Sequence, residues 1–213
     1  MDLNEFENLP IMGILRGLKE RDLNPVIETV IDSGLKTVEI TMNTESAEKL
    51  IKGALKLSAG KLAVGAGTVT DMDSLKSALD AGAAFIVMPV FNKVITEYCL
   101  QERIPFFPGA LTPQEIFTAW KSGASMVKVF PAKLFGPGYF KEIKGPFRDI
   151  KLMACSGVTP DNLGEYFTNG ASAVTFGASV FKSEWIDNKD YAKIGDLIKR
   201  YLDEFNRSRY SFS

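Results

Sequence analysis

Eight short apolar runs recur along the chain, and each is followed by a segment whose apolar residues have helical spacing. Two of those segments, NPVIETVIDSG and MDSLKSALDAG, carry apolar residues at positions i, i+3 and i+4, as amphipathic helices do. Strands that alternate with helices run parallel and are joined by helical crossovers. The sequence therefore predicts an α/β fold with parallel strands at residues 11–17, 36–42, 61–69, 84–90, 104–111, 125–132, 150–158 and 171–179.

Residues that begin and end helices stand between these runs. TPQE at Thr112–Glu115 has the cap, first-turn proline and glutamate of a capping box, and TPDN at Thr159–Asn162 supplies the cap and the proline. Glycines of the kind that end helices precede the next apolar run at Gly34, Gly82, Gly123 and Gly170. The positions of the strands are thus supported by the helix boundaries around them.

Eight strand–helix units favour one closed (β/α)8 TIM barrel domain over residues 1–213, with a C-terminal helix. We expect the aromatic residues of the last stretch, 201–213, to pack on the barrel, although they could instead mark an interface. The alternative fold is an open doubly wound sheet, which predicts a Gly-rich dinucleotide fingerprint after the first strand. GILRGLKE, which stands there, is not one.

The composition excludes several kinds of partner and site. With 25 Lys and Arg against 26 Asp and Glu, the formal charge is -1, so neither nucleic acid nor a membrane is an expected partner.

There is no histidine, the commonest general base and zinc ligand, so acid–base chemistry must use carboxylates, lysine, tyrosine or cysteine. A carboxylate-bound Mg²⁺ stays open. Two cysteines, an acidic N-terminal stretch and no apolar run near the ~18 residues of a membrane span indicate a cytoplasmic protein.

A lysine, Lys128, stands in the middle of the sixth apolar run, SMVKVFPA. Alternate residues of a strand share a face, and in the second run, VEITMN, the polar residues Glu39, Thr41 and Asn43 share one. The outer face of a parallel barrel packs under helices. The carboxylate of Glu39 and the amine of Lys128 should therefore converge inside the barrel.

Two interpretations of this pair remain open. It can be a structural ion pair, although buried pairs stabilise little because desolvation consumes most of the Coulombic gain. Alternatively, Lys128 is an amine nucleophile. Burial lowers its pKa whereas Glu39 favours the ammonium, so the two effects must balance.

In a barrel, functional residues lie at the C-terminal ends of the strands and in the loops that follow. Loops after the seventh and eighth strands most often bind phosphate, through backbone N–H groups and a helix N-terminus. The residues at those two places, which form the predicted phosphate site, are Ser156, Gly157, Gly177, Ala178 and Ser179.

Other strand ends also carry candidates. Arg16, at the end of the first apolar run, requires an anion: a substrate carboxylate, a phosphate or a neighbouring acidic side chain. Thr68, after GAG, offers the hydroxyl nearest to the mouth, although GAGTV can also be a tight strand end. The same rule selects Pro89 and Phe130.

Eight motifs occur in order along nearly the whole chain: VEITMNTE, VGAGTV, MPVFN, PFFPGALTPQE, VKVFPA, GPF, CSGVTPDN and FGASVF. Together they resemble the 2-keto-3-deoxy-6-phosphogluconate (KDPG) and 4-hydroxy-2-oxoglutarate (KHG) aldolases, which are Schiff-base-forming barrel enzymes. The resemblance implies that Lys128 is the Schiff-base lysine and Glu39 the general acid and base. It also implies a pyruvyl pocket at Thr68, Pro89 and Phe130, the phosphate site named above, and a cytoplasmic homotrimer.

Two positions depart from the phosphogluconate enzymes of that family. Asn43 stands where they commonly have an arginine that contacts the substrate carboxylate, so Arg16 would have to supply that charge. Cys155 stands where they commonly have a threonine, whose hydroxyl would lie near the C4 hydroxyl of the substrate. Both departures resemble the branch that acts on 2-keto-3-deoxy-6-phosphogalactonate (KDPGal), the C4 epimer.

The predicted function is that of a class I aldolase, an aldehyde-lyase that needs no metal or organic cofactor. It would reversibly cleave KDPG, KDPGal or 4-hydroxy-2-oxoglutarate into pyruvate and an aldehyde, which is glyceraldehyde 3-phosphate or glyoxylate. The alternatives are a phosphate-binding barrel isomerase or epimerase with Glu39 as base, and a barrel that only binds sugar phosphates. Glu39 and Lys128 both being present argues against the last, because a pseudoenzyme is free to lose either.

Overall fold

A nearly closed barrel of parallel strands forms the centre of the computed structural model, which describes residues 1–210. The strands are β1 (Ile11–Leu15), β2 (Thr37–Thr41), β3 (Ala63–Gly67), β4 (Ile86–Val87), β5 (Phe106–Phe107), β6 (Gly109–Ala110), β7 (Val127–Val129), β8 (Leu152–Cys155) and β9 (Ala173–Phe176). Their order around the sheet is β5-β4-β3-β2-β1-β9-β8-β7-β6. The α/β barrel predicted from the sequence is confirmed.

The fifth barrel position differs from the prediction of one strand over residues 104–111. It is divided at Pro108, which has no N–H to donate to a ladder, into β5 and β6. β5 pairs with β4, and β6 pairs with β7. β5 and β6 stand at the two ends of the sheet order, and together they take the place of one barrel strand. Within residues 1–210, nine strands therefore form a barrel with eight strand positions.

Helices cover the outside of the barrel and follow the strands in alternation. They are α1 (Leu3–Asn8), α2 (Leu23–Asp32), α3 (Ala47–Ser58), α4 (Met72–Asp80), α5 (Lys93–Gln101), α6 (Pro113–Lys121), α7 (Gly138–Lys144), α8 (Pro160–Thr168), α9 (Ser183–Asp187) and α10 (Tyr191–Tyr210). The predicted C-terminal helix is α10, which packs against α2 and α8. Residues 211–213 of the predicted stretch lie outside the described residues.

The predicted helix boundaries are confirmed. Thr112 Oγ1 accepts from the N–H of Glu115 at 3.3 Å, and Glu115 Oε2 accepts from the N–H of Thr112 at 2.8 Å. Thr159 and Asn162 form a second capping box of the same kind. The four helix-ending glycines all adopt positive φ, between 85° and 97°. These local signals fix where each helix begins and ends, and therefore where each loop at the barrel mouth lies.

The interior of the barrel has an apolar end and a polar end. Phe6 of α1, a helix that the sequence patterns did not predict, packs into the apolar end with its ring 5.9 Å from that of Phe107. The buried polar residues inside the barrel include Glu39, Thr41, Lys128 and Thr175. The apolar side chains fill the opposite end of the barrel, so the buried polar groups lie on the side of the C-terminal mouth.

Among the helices within residues 1–210, none combines the length and the apolar character that crossing a membrane requires.

Candidate active site

A cavity of about 460 Å³ lies at the C-terminal ends of the strands. Most of the site residues predicted from the sequence line it: Arg16, Asn43, Thr68, Pro89, Lys128, Phe130, Cys155, Ser156, Gly157, Gly177, Ala178 and Ser179. The remaining one, Glu39, lies against Lys128 in the barrel interior. The structure therefore brings together residues that come from most of the strand ends along the chain.

Lys128 of β7 and Glu39 of β2 form a buried pair across the barrel. Lys128 is 5% exposed and Glu39 is 1% exposed, and Lys128 Nζ lies 3.8 Å from Glu39 Oε1. The ring of Phe130 lies 5.6 Å from the same Nζ atom. Within residues 1–210, neither oxygen of Glu39 has a hydrogen-bond partner. The carboxylate is thus free to exchange a proton with the amine, a water or a bound substrate.

The two protonation equilibria of the pair are shifted by burial and by mutual attraction. Burial raises the pKa of Glu39, and this effect outweighs the opposing attraction of Lys128 and then Arg16. Burial also acts to lower the pKa of Lys128, but Glu39 and then Cys155 act to raise it, and the pKa lies above its ordinary value. The balance that the sequence left open therefore falls on the side of the ammonium.

Cys155, at the end of β8, lies beside Lys128 and contacts the hydroxyl of Thr175 on β9. Burial raises the pKa of Cys155, so its thiol is neutral at pH 7. Thr175 lines the same cavity, but the sequence analysis did not select it. The alternation of ASAVTFGAS, which puts Thr175 on the face of Gly177, is the signal that could have found it.

The loops after β8 and β9 line the cavity. Ser156 and Gly157 both adopt a φ of 82°, in the left-handed region, and α8 begins three residues later. Within residues 1–210, the N–H groups of Gly157, Ala178 and Ser179 donate no backbone hydrogen bond. N–H groups that lack an acceptor and lie near a helix N-terminus can donate hydrogen bonds to a bound anion.

Arg16 and Asn43 are exposed at the mouth of the cavity. Within residues 1–210, the guanidinium of Arg16 makes no ion pair with an acidic side chain. Arg16 attracts the charge of Glu39 without contacting it, so the guanidinium is available to a substrate anion in the described part of the chain. Thr68 also lines the mouth, with a φ of 55° that a β-branched residue rarely adopts.

No cluster of three or more His, Cys, Asp or Glu side chains in the described residues is placed to hold a metal ion.

Comparison with known proteins decides the family. The family model for KDPG and KHG aldolase matches residues 3–197. The chain belongs to the KDPG and KHG aldolase family. The enzyme class predicted from the sequence, an aldolase and hence a carbon–carbon lyase, is confirmed.

Individual relatives of this aldolase support the assignment over nearly the full length. The 2-dehydro-3-deoxy-6-phosphogalactonate aldolase of Escherichia coli K12 is 29% identical over 196 residues, which are 92% of this chain and 96% of the relative. The 2-dehydro-3-deoxy-phosphogluconate aldolase of Pseudomonas aeruginosa PAO1 is 31% identical over 206 residues, which are 96% and 92% of the two chains. A solved structure of native KDPGal aligns with a TM-score of 0.87 at 27% identity and covers 94% of this chain and 96% of its own. The two relatives are named for different sugar acids, so the choice between these substrates must be argued from the site.

Proposed function

We propose that this aldolase works through a Schiff base between Lys128 and the C2 ketone of a 2-keto-3-deoxy-6-phospho sugar acid, which it cleaves reversibly to pyruvate and glyceraldehyde 3-phosphate. The observation that carries the proposal is the position of the Lys128 amine, which lines the cavity and lies 3.8 Å from Glu39 Oε1. A buried amine next to a carboxylate supplies both a nucleophile and a proton carrier. Neither residue would be needed in the barrel interior for stability alone.

The bond changes are those of covalent amine catalysis. The Lys128 amine attacks C2, the former ketone oxygen leaves as water, and an iminium remains. Glu39 removes the proton of the C4 hydroxyl, the C3–C4 bond breaks, and its electron pair moves into the iminium to give an enamine. The aldehyde leaves, C3 takes up a proton, and hydrolysis releases pyruvate and the free amine. The iminium is the electron sink that makes the cleavage feasible.

The Glu39–Lys128 pair explains how the amine becomes nucleophilic although the ammonium is favoured. Burial raises the pKa of Glu39, which makes its carboxylate a better acceptor for the proton of Lys128. Transfer of that proton gives a neutral amine and a neutral carboxylic acid, and the buried site then holds no separated charges. The two forms carry the same number of protons, so the reactive form is present without exchange with the solvent.

The two ends of the substrate carry negative charge, and the cavity offers groups for both. The N–H groups of Gly157, Ala178 and Ser179, which have no backbone acceptor in the described part of the chain, would bind the phosphate at one side of the cavity. The guanidinium of Arg16, which forms no ion pair within residues 1–210, would bind the carboxylate, a role that the uncharged Asn43 of the same cavity cannot take. We assign the pyruvyl part of the substrate to Thr68, Pro89 and Phe130, which line the cavity with Lys128.

The C4 configuration is the part of the substrate that we assign to Cys155. Its thiol is a weak hydrogen-bond donor next to Lys128, where a threonine hydroxyl would donate more strongly to one C4 epimer. Together with Asn43, this favours KDPGal over KDPG as the preferred substrate, with 4-hydroxy-2-oxoglutarate and its product glyoxylate as a further candidate.

Cys155→Thr is expected to move the ratio of kcat/KM for the two epimers toward KDPG by about 3- to 10-fold, the worth of one neutral hydrogen bond. The ratio is measured with both phosphates at equal enzyme concentration. Cys155→Val is the matched control, because it has the shape of threonine without the hydroxyl and should leave the ratio unchanged. If threonine and valine act alike, the hydroxyl does not set the preference.

We also propose that the enzyme assembles as a homotrimer, as the family resemblance implies. Exposed apolar side chains follow β4 and β7 at the mouth of the barrel, at Val90, Val94, Leu134 and Phe135. Apolar groups that gather at one end of a molecule favour association. A molar mass of three chains in light scattering would support the trimer, whereas a monomer at micromolar concentration would contradict it.

Reductive trapping tests the Schiff base directly. Incubation with pyruvate and sodium borohydride should add a reduced pyruvyl group to the peptide that contains Lys128, and trypsin should no longer cut after this residue. Borohydride without pyruvate is the control and should leave the mass unchanged. A protein that releases pyruvate from the sugar acid and yet stays unmodified would show that the mechanism is not covalent at Lys128.

A further inference from the structure

Gly67, the last residue of β3, faces the side chain of Glu39 inside the barrel. β3 pairs with β2 so that Gly67 stands opposite Thr41, and the inward face of β3 therefore adjoins that of Glu39. A Cβ atom on residue 67 would lie 2.5 Å from Glu39 Oε1, 2.7 Å from Cδ and 3.2 Å from Cγ. All three of its nearest neighbours would belong to the functional end of this one glutamate.

The backbone does not explain the glycine. Gly67 does not adopt the positive φ that marks eight other glycines of the chain, so an alanine could take the same conformation. Its neighbour Gly65 is different, because a Cβ there would meet the ring of Phe85. At position 67 the space left by the missing side chain is filled by a carboxyl group.

Apart from the attraction of Lys128, steric contact is what holds the Glu39 carboxyl in place. Neither of its oxygens has a hydrogen-bond partner within residues 1–210, and Lys128 Nζ, at 3.8 Å, is too far for a hydrogen bond. A carboxyl that lacks hydrogen bonds takes its position from the walls around it. On the side of β3, the carboxyl of Glu39 packs against the backbone of Gly67.

We propose that Gly67 is a positioning residue, whose missing side chain leaves the space that sets the Glu39 carboxyl beside Lys128. Ordinary contact begins at 3.4 Å and a Cβ on residue 67 would lie at 2.5 Å, so an alanine there forces the carboxyl about 0.9 Å away from β3. The consequence for turnover rests on the proposed role of Glu39 as the proton carrier. A displacement of this size at a proton-transfer group is enough to disturb catalysis, because hydrogen-bond geometry is lost within about 1 Å.

Gly67→Ala is expected to lower kcat on the order of 10²-fold, with KM for the sugar acid changed less than about threefold. Trapping of pyruvate at Lys128 by borohydride should continue, because the amine itself has not moved. Gly13→Ala is the matched control. It adds a methyl group to β1 against Phe181 and Leu35, at 3.1 Å and 3.2 Å, away from Glu39, and should keep kcat within about twofold.

A double-mutant cycle on the melting temperature tests the contact independently of the chemistry. Gly67→Ala should lower Tm when Glu39 is present and should have little effect in a Glu39→Ala background, where the clash is gone. If Gly67→Ala does not fold alone, folding of the double variant supports the proposal in the same way. An equal loss of Tm in both backgrounds, or a double variant that does not fold, overturns it.

Activity then separates the two proposals. Full turnover by Glu39→Ala would remove Glu39 from the mechanism, and the Tm cycle would still decide the contact. A strong loss in Glu39→Ala with wild-type kcat in Gly67→Ala would keep Glu39 in the mechanism and overturn the positioning role of Gly67.

Discussion

Replacing Lys128 by methionine is expected to abolish cleavage of the sugar acid, with kcat reduced on the order of 10⁴-fold or more. Lys128 is the lysine that lines the cavity, and methionine keeps its length and apolar stem but removes the amine. Pyruvate release measures the loss, and borohydride trapping should fail in the same variant. Lys76→Met, at an exposed position of α4, is the matched control and should keep full activity.

The stability of Lys128→Met separates a catalytic lysine from a structural one, and its dependence on pH has a definite sign. Without the lysine, burial is opposed only by the weaker attraction of Arg16, and the pKa of Glu39 in the folded protein then lies further above its unfolded value. The folded state binds that proton more tightly, so its stability is present at low pH and is lost as the pH rises through the folded pKa. In Lys128→Met at about pH 5, which is close to the ordinary pKa of glutamate, protonating Glu39 on folding lowers the stability by only about 1 kcal/mol.

We therefore expect the Lys128→Met variant to melt near the wild-type Tm at about pH 5 and to fall increasingly below it toward about pH 8. The double variant Lys128→Met/Glu39→Gln removes both charges and should not show this increasing difference. A loss of about 3–5 kcal/mol that is already present at about pH 5 would instead mean that the ion pair is structural.

Glu39→Gln is expected to separate Schiff-base formation from bond cleavage. The amide cannot take the proton of the C4 hydroxyl, so kcat for the sugar acid should fall about 10²- to 10⁴-fold. Trapping of pyruvate at Lys128 should persist, because the amine is still present in the cavity. Glu28→Gln, at an exposed position of α2, is the control.

The pH dependence of trapping in Glu39→Gln should also change. Glu39 contributes more than Cys155 to raising the pKa of Lys128 against burial, so without the charge of Glu39 burial prevails and the pKa falls. Trapping by the variant should then rise with pH, since the amine must lose its proton to the solvent, whereas the wild-type protein should show a plateau at neutral pH. A wild-type cleavage rate in Glu39→Gln would assign the proton transfer to another group.

The strands and the inward direction of Glu39 and Lys128 could be predicted because both depend on local pattern. Alternation along VEITMN and SMVKVFPA fixes which face of a strand each side chain takes, and this holds whatever the rest of the chain does. The helix starts at Thr112 and Thr159 were predictable for the same reason, since a capping box lies within four residues. A parallel barrel then places every strand end at one mouth, so the candidate residues had to meet there.

Other features could not be predicted because they depend on atoms far apart in the sequence. The two halves of the strand around Pro108 pair with different neighbours, β4 and β7, and Phe6 of α1 packs into the apolar end of the barrel. None of these contacts leaves a period or a motif in the sequence.

The sequence by itself determined the barrel, its family and the meeting of an amine with a carboxylate inside the barrel, because strand alternation and helix caps are properties of neighbouring residues. The tertiary structure alone decided the 3.8 Å separation of Lys128 and Glu39, the excess of the ammonium over the amine, and the space at Gly67. Those depend on how closely neighbouring and opposite strands of the barrel approach one another and on how much water they exclude. Packing sets such distances, and a linear pattern of residue types does not encode them.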